Sequence, residues 1–272
     1  MPTHNQTTTI RYLNRTNQRP VYLASQAGAD AQFDIDVGFD EREVIVHDAR
    51  KLQPAPTLDH HGFTLVNHKS LVKDFYDAPE HDSYAQELIK LICATTGAET
   101  AQVFDQTLRS DSSTVRGRRN TREPAGFIHN DYTDASAHKR MREMLTPEEA
   151  EKRSNSRFAI INVWRPIREP VWTSPMTCCD SSTLSPEDLI AVERRAKERV
   201  GELEFAHWNS AHRWYYFPQM KRDEVLLIKT FDSAKDGRAT RCIHTAFNNA
   251  LAPSDAPPRE SIESRLLVFF AE

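Results

Sequence analysis

Three stretches of this chain place polar residues at every second position within otherwise apolar runs: FIHNDYT, RCIHTAF and RESIESRLLVFF. A period of two marks a strand whose two faces meet different surroundings. In the first stretch Phe127, His129 and Asp131 share one face, and Ile128, Asn130 and Tyr132 the other, so Tyr132 is expected to point away from its neighbour Asp131. In the second, Cys242, His244 and Ala246 share a face; in the third, Arg259, Ser261, Glu263 and Arg265 do. A fold holding all three must be rich in sheet. It must also gather these polar faces around one cavity or bury them as satisfied polar pairs.

Two imidazoles and one carboxylate can hold Fe(II) on one side and leave open positions for oxygen and a co-substrate. His129, Asp131 and His244 are the candidates. One His-x-Asp triplet is no more than chance supplies in a chain with 11 His and 39 acidic residues, so the weight falls on the shared faces and the arginines that follow. An arginine beyond the last ligand would suit the far carboxylate of 2-oxoglutarate, which a planar guanidinium can grip in a bidentate pair. The same three ligands would also serve a zinc hydrolase, although Arg259 and Arg265 have no necessary part in that chemistry. Buried polar strand residues, with the arginines in ion pairs to Glu260 or Glu263, are the reading without chemistry.

The rest of the chain narrows the class. Its 272 residues are enough for one large β-rich domain, and no Gly/Ser linker, repeat or low-complexity stretch divides it. A net charge of −4 gives no electrostatic case for nucleic acid or an anionic membrane. The apolar runs VLLI and LLVFFA are far short of a membrane span, and MPTHNQTTTIRYLNRT lacks the layout of a secretory signal. A soluble, cytoplasmic protein is expected, and a homodimer is left open. The cysteines Cys93, Cys178, Cys179 and Cys242 form no CxxC pair and read as free thiols; Cys242, on the face of His244, would line its pocket.

Along the chain, residues 1–60 suggest an N-terminal β extension, and about 100–272 a jelly-roll core with helical insertions, within a single domain. Tyr84, Leu88, Leu91, Ile92 and Thr95 recur at helical spacing before Gly97, so a helix should pack outside the sheet. TPEEAEKRSNSR reads as a helix capped by Thr146, and LSPEDLIAVERRAKERVG as another, capped by Ser185 and stopped at Gly201. The arginine-rich segment 109–122 reads as a solvated loop, with a lid over substrate as the alternative. Trp214 to Phe217 read as core, and His60, His61, His138, His207 and His212 lack partners at metal-ligand spacing.

The segments GFTLVNHKSLVKDFYD, HNDYT, NVWRPI, WYYFPQMKRDEVLLIKTFDS, HTAFNN and APPRESIESRLLVFF occur in that order. From about Gly62 to Phe270 the chain resembles the fungal and bacterial hydroxylase/desaturase family that includes gibberellin-desaturase-like enzymes and a cephalosporin methoxylation protein. The resemblance implies a mainly β protein with external helices around a double-stranded β-helix (jelly-roll) core. It also implies a non-haem Fe(II)/2-oxoglutarate-dependent oxygenase that uses O2, with ascorbate as a stimulant and a small secondary metabolite as substrate. His129, Asp131 and His244 then fall on the metal-ligand positions. Arg259 with Ser261, or Arg265 at the start of RLLVFF, falls where such enzymes hold the co-substrate; strand position favours Arg265. Asn162, in NVWRPI, would line the co-substrate pocket. A non-catalytic jelly-roll partner protein is the alternative in this family. The expected reaction is hydroxylation or desaturation, both of which begin with removal of a hydrogen.

Overall fold

Alternating runs such as QTTTIRYL and continuous buried ones such as FAIINVWRP together give this chain 15 strands among the residues described by the computed structural model, 4–78, 82–196 and 199–271. The first third contributes β1 (Gln6–Leu13), β2 (Val21–Leu23), β3 (Asp34–Ile35), β4 (Phe39–Asp48) and β5 (Phe63–Asn67). The middle contributes β6 (Thr100–Ser110), β7 (His129–Asn130), β8 (Phe158–Pro166) and β9 (Met176–Cys179). The remainder carries β10 (Leu189–Ala196), β11 (Arg199–Ala206), β12 (Trp214–Tyr216), β13 (Glu224–Asp232), β14 (His244–Ala246) and β15 (Glu260–Phe269). Four helices accompany them: α1 (Asp82–Thr96), α2 (Ser113–Arg119), α3 (Asp134–Met144) and α4 (Pro147–Ser154).

The strands form two sheets. The larger runs β1-β4-β12-β9-β14-β7-β11-β10-β2-β3, and the smaller β5-β13-β8-β15-β6. β1–β4 thus add strands to both ends of the larger sheet. The sheets meet through Trp164, Leu226 and Ile228 on one side and Met176, Cys178 and Phe217 on the other. This is a mainly β, jelly-roll architecture with helices outside.

The outer face of the smaller sheet would expose Ile161, Val163, Leu227 and Leu266 if α1 did not lie on it. α1 buries Tyr84, Leu88 and Ile92 completely, each contributing roughly 1.5–3 kcal/mol. Gly97, at φ +72, closes the helix where a side chain would be strained. Thr146 caps α4 as its sequence predicts, accepting the Glu149 amide at 3.3 Å. The aromatic block divides by strand alternation. Tyr215 leans toward the smaller sheet, while Trp214 and Tyr216 pack on the opposite face with Tyr12 and Val46.

Two segments differ from expectation. Residues 184–201 do not form one helix. Ser185 does cap a helical turn, but only the short one at Pro186–Asp188. The chain then enters β10, which turns back into β11 as an antiparallel hairpin. Ile190 and Val192 alternate into a cluster with Leu203 and Phe205, while β2 pairs along the other edge. Neighbouring strands therefore outweigh the helix-favouring ERRAKER composition. The arginine-rich segment is likewise more than a solvated loop. Ser112 caps α2, Asn120 ends it at φ +51, and Arg116 donates to the carbonyls of Ser110 and Ala29. Among the described residues, no helix is long and apolar enough to cross a membrane.

Candidate metal centre

His129 comes from β7 and His244 from β14, and they are direct partners in the antiparallel ladder. Pairing the strands at that register sets the two imidazoles 4.5 Å apart, centre to centre. Asp131 lies one residue beyond the end of β7. One ligand atom each from His129, Asp131 and His244 falls within 4.8 Å of the others.

Each ligand is held by its other polar atom. His129 Nδ1 lies 3.0 Å from the Phe127 carbonyl, and His244 Nδ1 3.0 Å from the Cys242 carbonyl. A carbonyl only accepts, so both Nδ1 atoms carry the proton and both Nε2 atoms keep a free lone pair. Burial, and then the neighbouring His244, lower the His129 pKa to about 3, which keeps this imidazole neutral. Burial works against ionisation of Asp131, but Arg265, with His129, His244 and Asn162, holds its carboxyl well below the usual range. Its Oδ2 accepts from Asn162 Nδ2 at 2.6 Å and from Arg265 Nε at 2.9 Å. Oδ1 faces His129 Nε2 at 3.6 Å. Two neutral imidazole nitrogens and one carboxylate oxygen therefore converge, each with its rotation restricted from behind. Such a donor set fits a divalent transition metal.

β7 is shorter than its sequence suggests because Asn130 is fastened in place. Its side chain donates to the Tyr132 and Thr230 carbonyls and to Glu204, and the chain then turns to cap α3 with Thr133. Tyr132 consequently leaves the strand alternation and lines the same cavity as Asp131, against Phe104. The expectation that it points away fails for that reason. Cys242 also differs from expectation: it packs among Phe63, Trp164 and Cys178 and meets the centre only through its carbonyl.

Arg259, one residue before β15, and Arg265 within it stand at positions of the same parity but meet different neighbours. Arg265 is engaged on every side: by Asp131, by Asp105 at 2.5 Å, and by Glu263 at 3.4 Å. Arg259 is only 1% exposed and meets mostly neutral groups. Its Nε donates to Ser261 at 3.1 Å and its Nη1 to the carbonyl of Ser174, a residue in the left-handed region at φ +44. Its Nη2 has no partner, and its guanidinium lies 5.1 Å from the centre of the Trp164 rings, whose Nε1 also lacks one. Burial, then the charge of Arg109, lower its pKa to about 10. Two unfilled donors on a buried cation and its aromatic neighbour suit an incoming carboxylate. Asn162 is placed between Asp131 and Glu263, donating to both. Glu263 is the ion-pair partner that the sequence offered for the arginines, here for Arg265, whereas Asp105 has no sequence signal that points to this network.

His129, Asp131 and Arg265 open into a cavity of about 680 Å3. Residues 10–269 match the family described as an oxidoreductase/YMDC permease-like domain. The chain is 32% identical to hydroxylase/desaturase efuI of Hormonema carpetanum, over 86% of this chain and 85% of that protein. It is 34% identical to the Fe(II)/2-oxoglutarate-dependent dioxygenase nvfI of Aspergillus novofumigatus, over 84% and 83%. The solved structure of the iron and alpha-ketoglutarate-dependent endoperoxidase NvfI superposes with a TM-score of 0.84 and 28% identity, covering 98% of this chain and 99% of that one.

Proposed function

Because the chain belongs to the hydroxylase/desaturase family of Fe(II)/2-oxoglutarate-dependent oxygenases, we propose that His129, Asp131 and His244 are its iron ligands and that the whole chain acts as one oxygenase domain. The observation that carries this is the back-side fastening of all three ligands, which leaves two Nε2 lone pairs and Asp131 Oδ1 turned toward one another. The protein takes Fe(II), 2-oxoglutarate and O2, and its substrate is a small organic molecule of secondary metabolism.

Arg259 and Ser261 grip the far carboxylate of 2-oxoglutarate, with Trp164 Nε1 as a further donor. This reverses the preference for Arg265 drawn from strand position, because the Arg265 guanidinium is already shared among three carboxylates. Arg265 and Asn162 instead orient Asp131. With metal and co-substrate bound, the centre supplies oxidation of an unactivated C–H bond coupled to decarboxylation of 2-oxoglutarate. The chain's own part is to seat the co-substrate through Arg259, to hold the substrate in the cavity, and to exclude water with Phe127, Leu203 and Phe104. Hydroxylation and desaturation both begin with a hydrogen taken from a carbon positioned in this way.

Anaerobic reconstitution tests the reading. The protein should bind about one Fe(II) per chain and release succinate from 2-oxoglutarate in air, and His129→Ala, Asp131→Ala and His244→Ala should do neither. Tight zinc binding with no succinate release would overturn it.

A further inference from the structure

The cavity in front of the metal centre has a second chemistry. One part of its wall is apolar, formed by Phe127, Tyr22 and Leu203. Beside it stand Arg109, Arg122 and Arg194. A bridge between backbones sets Arg109 and Arg122 side by side, although 13 positions separate them in sequence. Arg194 arrives from β10. It pairs with Gly201 on one side, which has no side chain to cover it, and with Tyr22 on the other.

The carboxylates lining this cavity are committed elsewhere. Asp105 binds Arg265 at 2.5 Å, Glu193 binds Arg195 at 2.7 Å, and Glu202 accepts from Thr133 at 2.5 Å and pairs with Arg19. Asp131 faces the metal centre. Arg109 donates to the Glu123 carbonyl and is 3.8 Å from Glu263. Arg122 and Arg194 have no side-chain hydrogen bond or ion pair among the described residues. Burial, then the charges of Arg109 and Arg194, hold the Arg122 pKa below the usual guanidinium value, and all three arginines bear on Tyr22. Like charges gathered at an apolar, partly buried wall are costly unless an anion completes them.

We propose that the organic substrate carries an anionic group, a carboxylate or its equivalent, that docks between Arg122 and Arg194 with Arg109 beside it. Its carbon skeleton lies along Phe127, Tyr22 and Leu203, and so reaches His129 and Asp131. The planar guanidinium fork suits such a group. Arg109 and Arg122 are the two ends of the arginine-rich segment, and this assigns them a role apart from α2. The inference rests on the oxygenase reading, since both use one cavity.

Two dyes with the same rings separate the charge from the skeleton: anilinonaphthalene sulfonate, an anion, and its neutral parent phenylnaphthylamine. In fluorescence titrations of the full chain, the sulfonate should bind about tenfold or more tighter than the neutral dye. In the double variant Arg122→Gln/Arg194→Gln that preference should vanish, with the neutral dye, Fe(II) and 2-oxoglutarate binding as in the wild type. Equal binding of the two dyes to the wild type, no sulfonate binding, or an unchanged preference in the variant would each overturn the proposal. So would a weakened 2-oxoglutarate affinity in the variant, which would give the cluster to the co-substrate. A wild type that selects the sulfonate but binds neither Fe(II) nor 2-oxoglutarate would count against the oxygenase reading and leave the anion site standing. Single variants Arg122→Lys and Arg194→Lys, which keep the charge, check that any loss is not a loss of folding.

Discussion

Shortening Arg259 should cost this protein its co-substrate, and shortening Arg265 should cost it its metal. Arg259 is 1% exposed, and its Nη2 and the neighbouring Trp164 Nε1 are both unpartnered. A carboxylate seated there is taken wholly out of water. Without its guanidinium the charge is left buried and unpaired, at a cost of about 3–5 kcal/mol. At about 1.4 kcal/mol per decade, the Kd for 2-oxoglutarate in Arg259→Ala should rise by two to three and a half orders of magnitude. Arg259→Lys should recover only part of this. One ammonium cannot serve Ser261, the Ser174 carbonyl and an incoming carboxylate in the geometry of three separate nitrogens. Arg265→Ala removes one of the two donors on Asp131 Oδ2, and groups that orient metal ligands commonly carry about 10–100-fold of metal affinity. Anaerobic calorimetry of 2-oxoglutarate into metal-loaded protein, and of metal into the metal-free chain, reads the two effects separately, with thermal melting as the control for folding. A hundredfold loss of 2-oxoglutarate affinity in Arg265→Ala, beside normal binding in Arg259→Lys, would refute the assignment.

Other measurements probe the frame around the site. Saturating metal should stabilise the wild type by about 2.7 kcal/mol at a free concentration near 100 times Kd, and a melting shift of that kind should be absent from His129→Ala, Asp131→Ala and His244→Ala. Gly62 sits at φ +80, and a Cβ there would come within 2.8 Å of Cys242 Cβ, whose residue orients His244 through its carbonyl. Gly62→Ala should therefore lose roughly 2–5 kcal/mol of stability in denaturant unfolding. Burial raises the Glu204 pKa to about 7, against the opposing pull of Arg241 and Asn130. The folded state then holds this proton more tightly than the unfolded chain, so the contribution is complete below the ordinary glutamate pKa and is lost as pH rises toward 7. Glu204→Gln should flatten the fall in melting temperature across that window; an unchanged slope would show that another group causes it.

The local sequence was enough to place what depends on neighbours along the chain. A period of two located the strands of His129, His244 and Arg265, helical spacing located α1, and Thr146 followed by Pro147 located the start of α4. The three metal-ligand candidates could be named for the same reason, since a strand's period decides which residues share a face. Tertiary structure decided everything that depends on who else is present. Residues 189–206 became a hairpin because β2, β7 and the Phe205 cluster offered pairing and burial that a helix could not use. Tyr132 turned into the cavity because Asn130, pinned by Glu204 and Thr230 from distant strands, ended β7 early. The division of labour proposed for Arg259 and Arg265 was invisible in sequence, where both fall on one face of one alternating run. It follows from which carboxylates come near each: Asp105 and Asp131 arrive from 160 and 134 residues away to occupy Arg265, and Arg259 keeps a free donor. The occupancy of a hydrogen bond is settled through space, and only the folded chain records it.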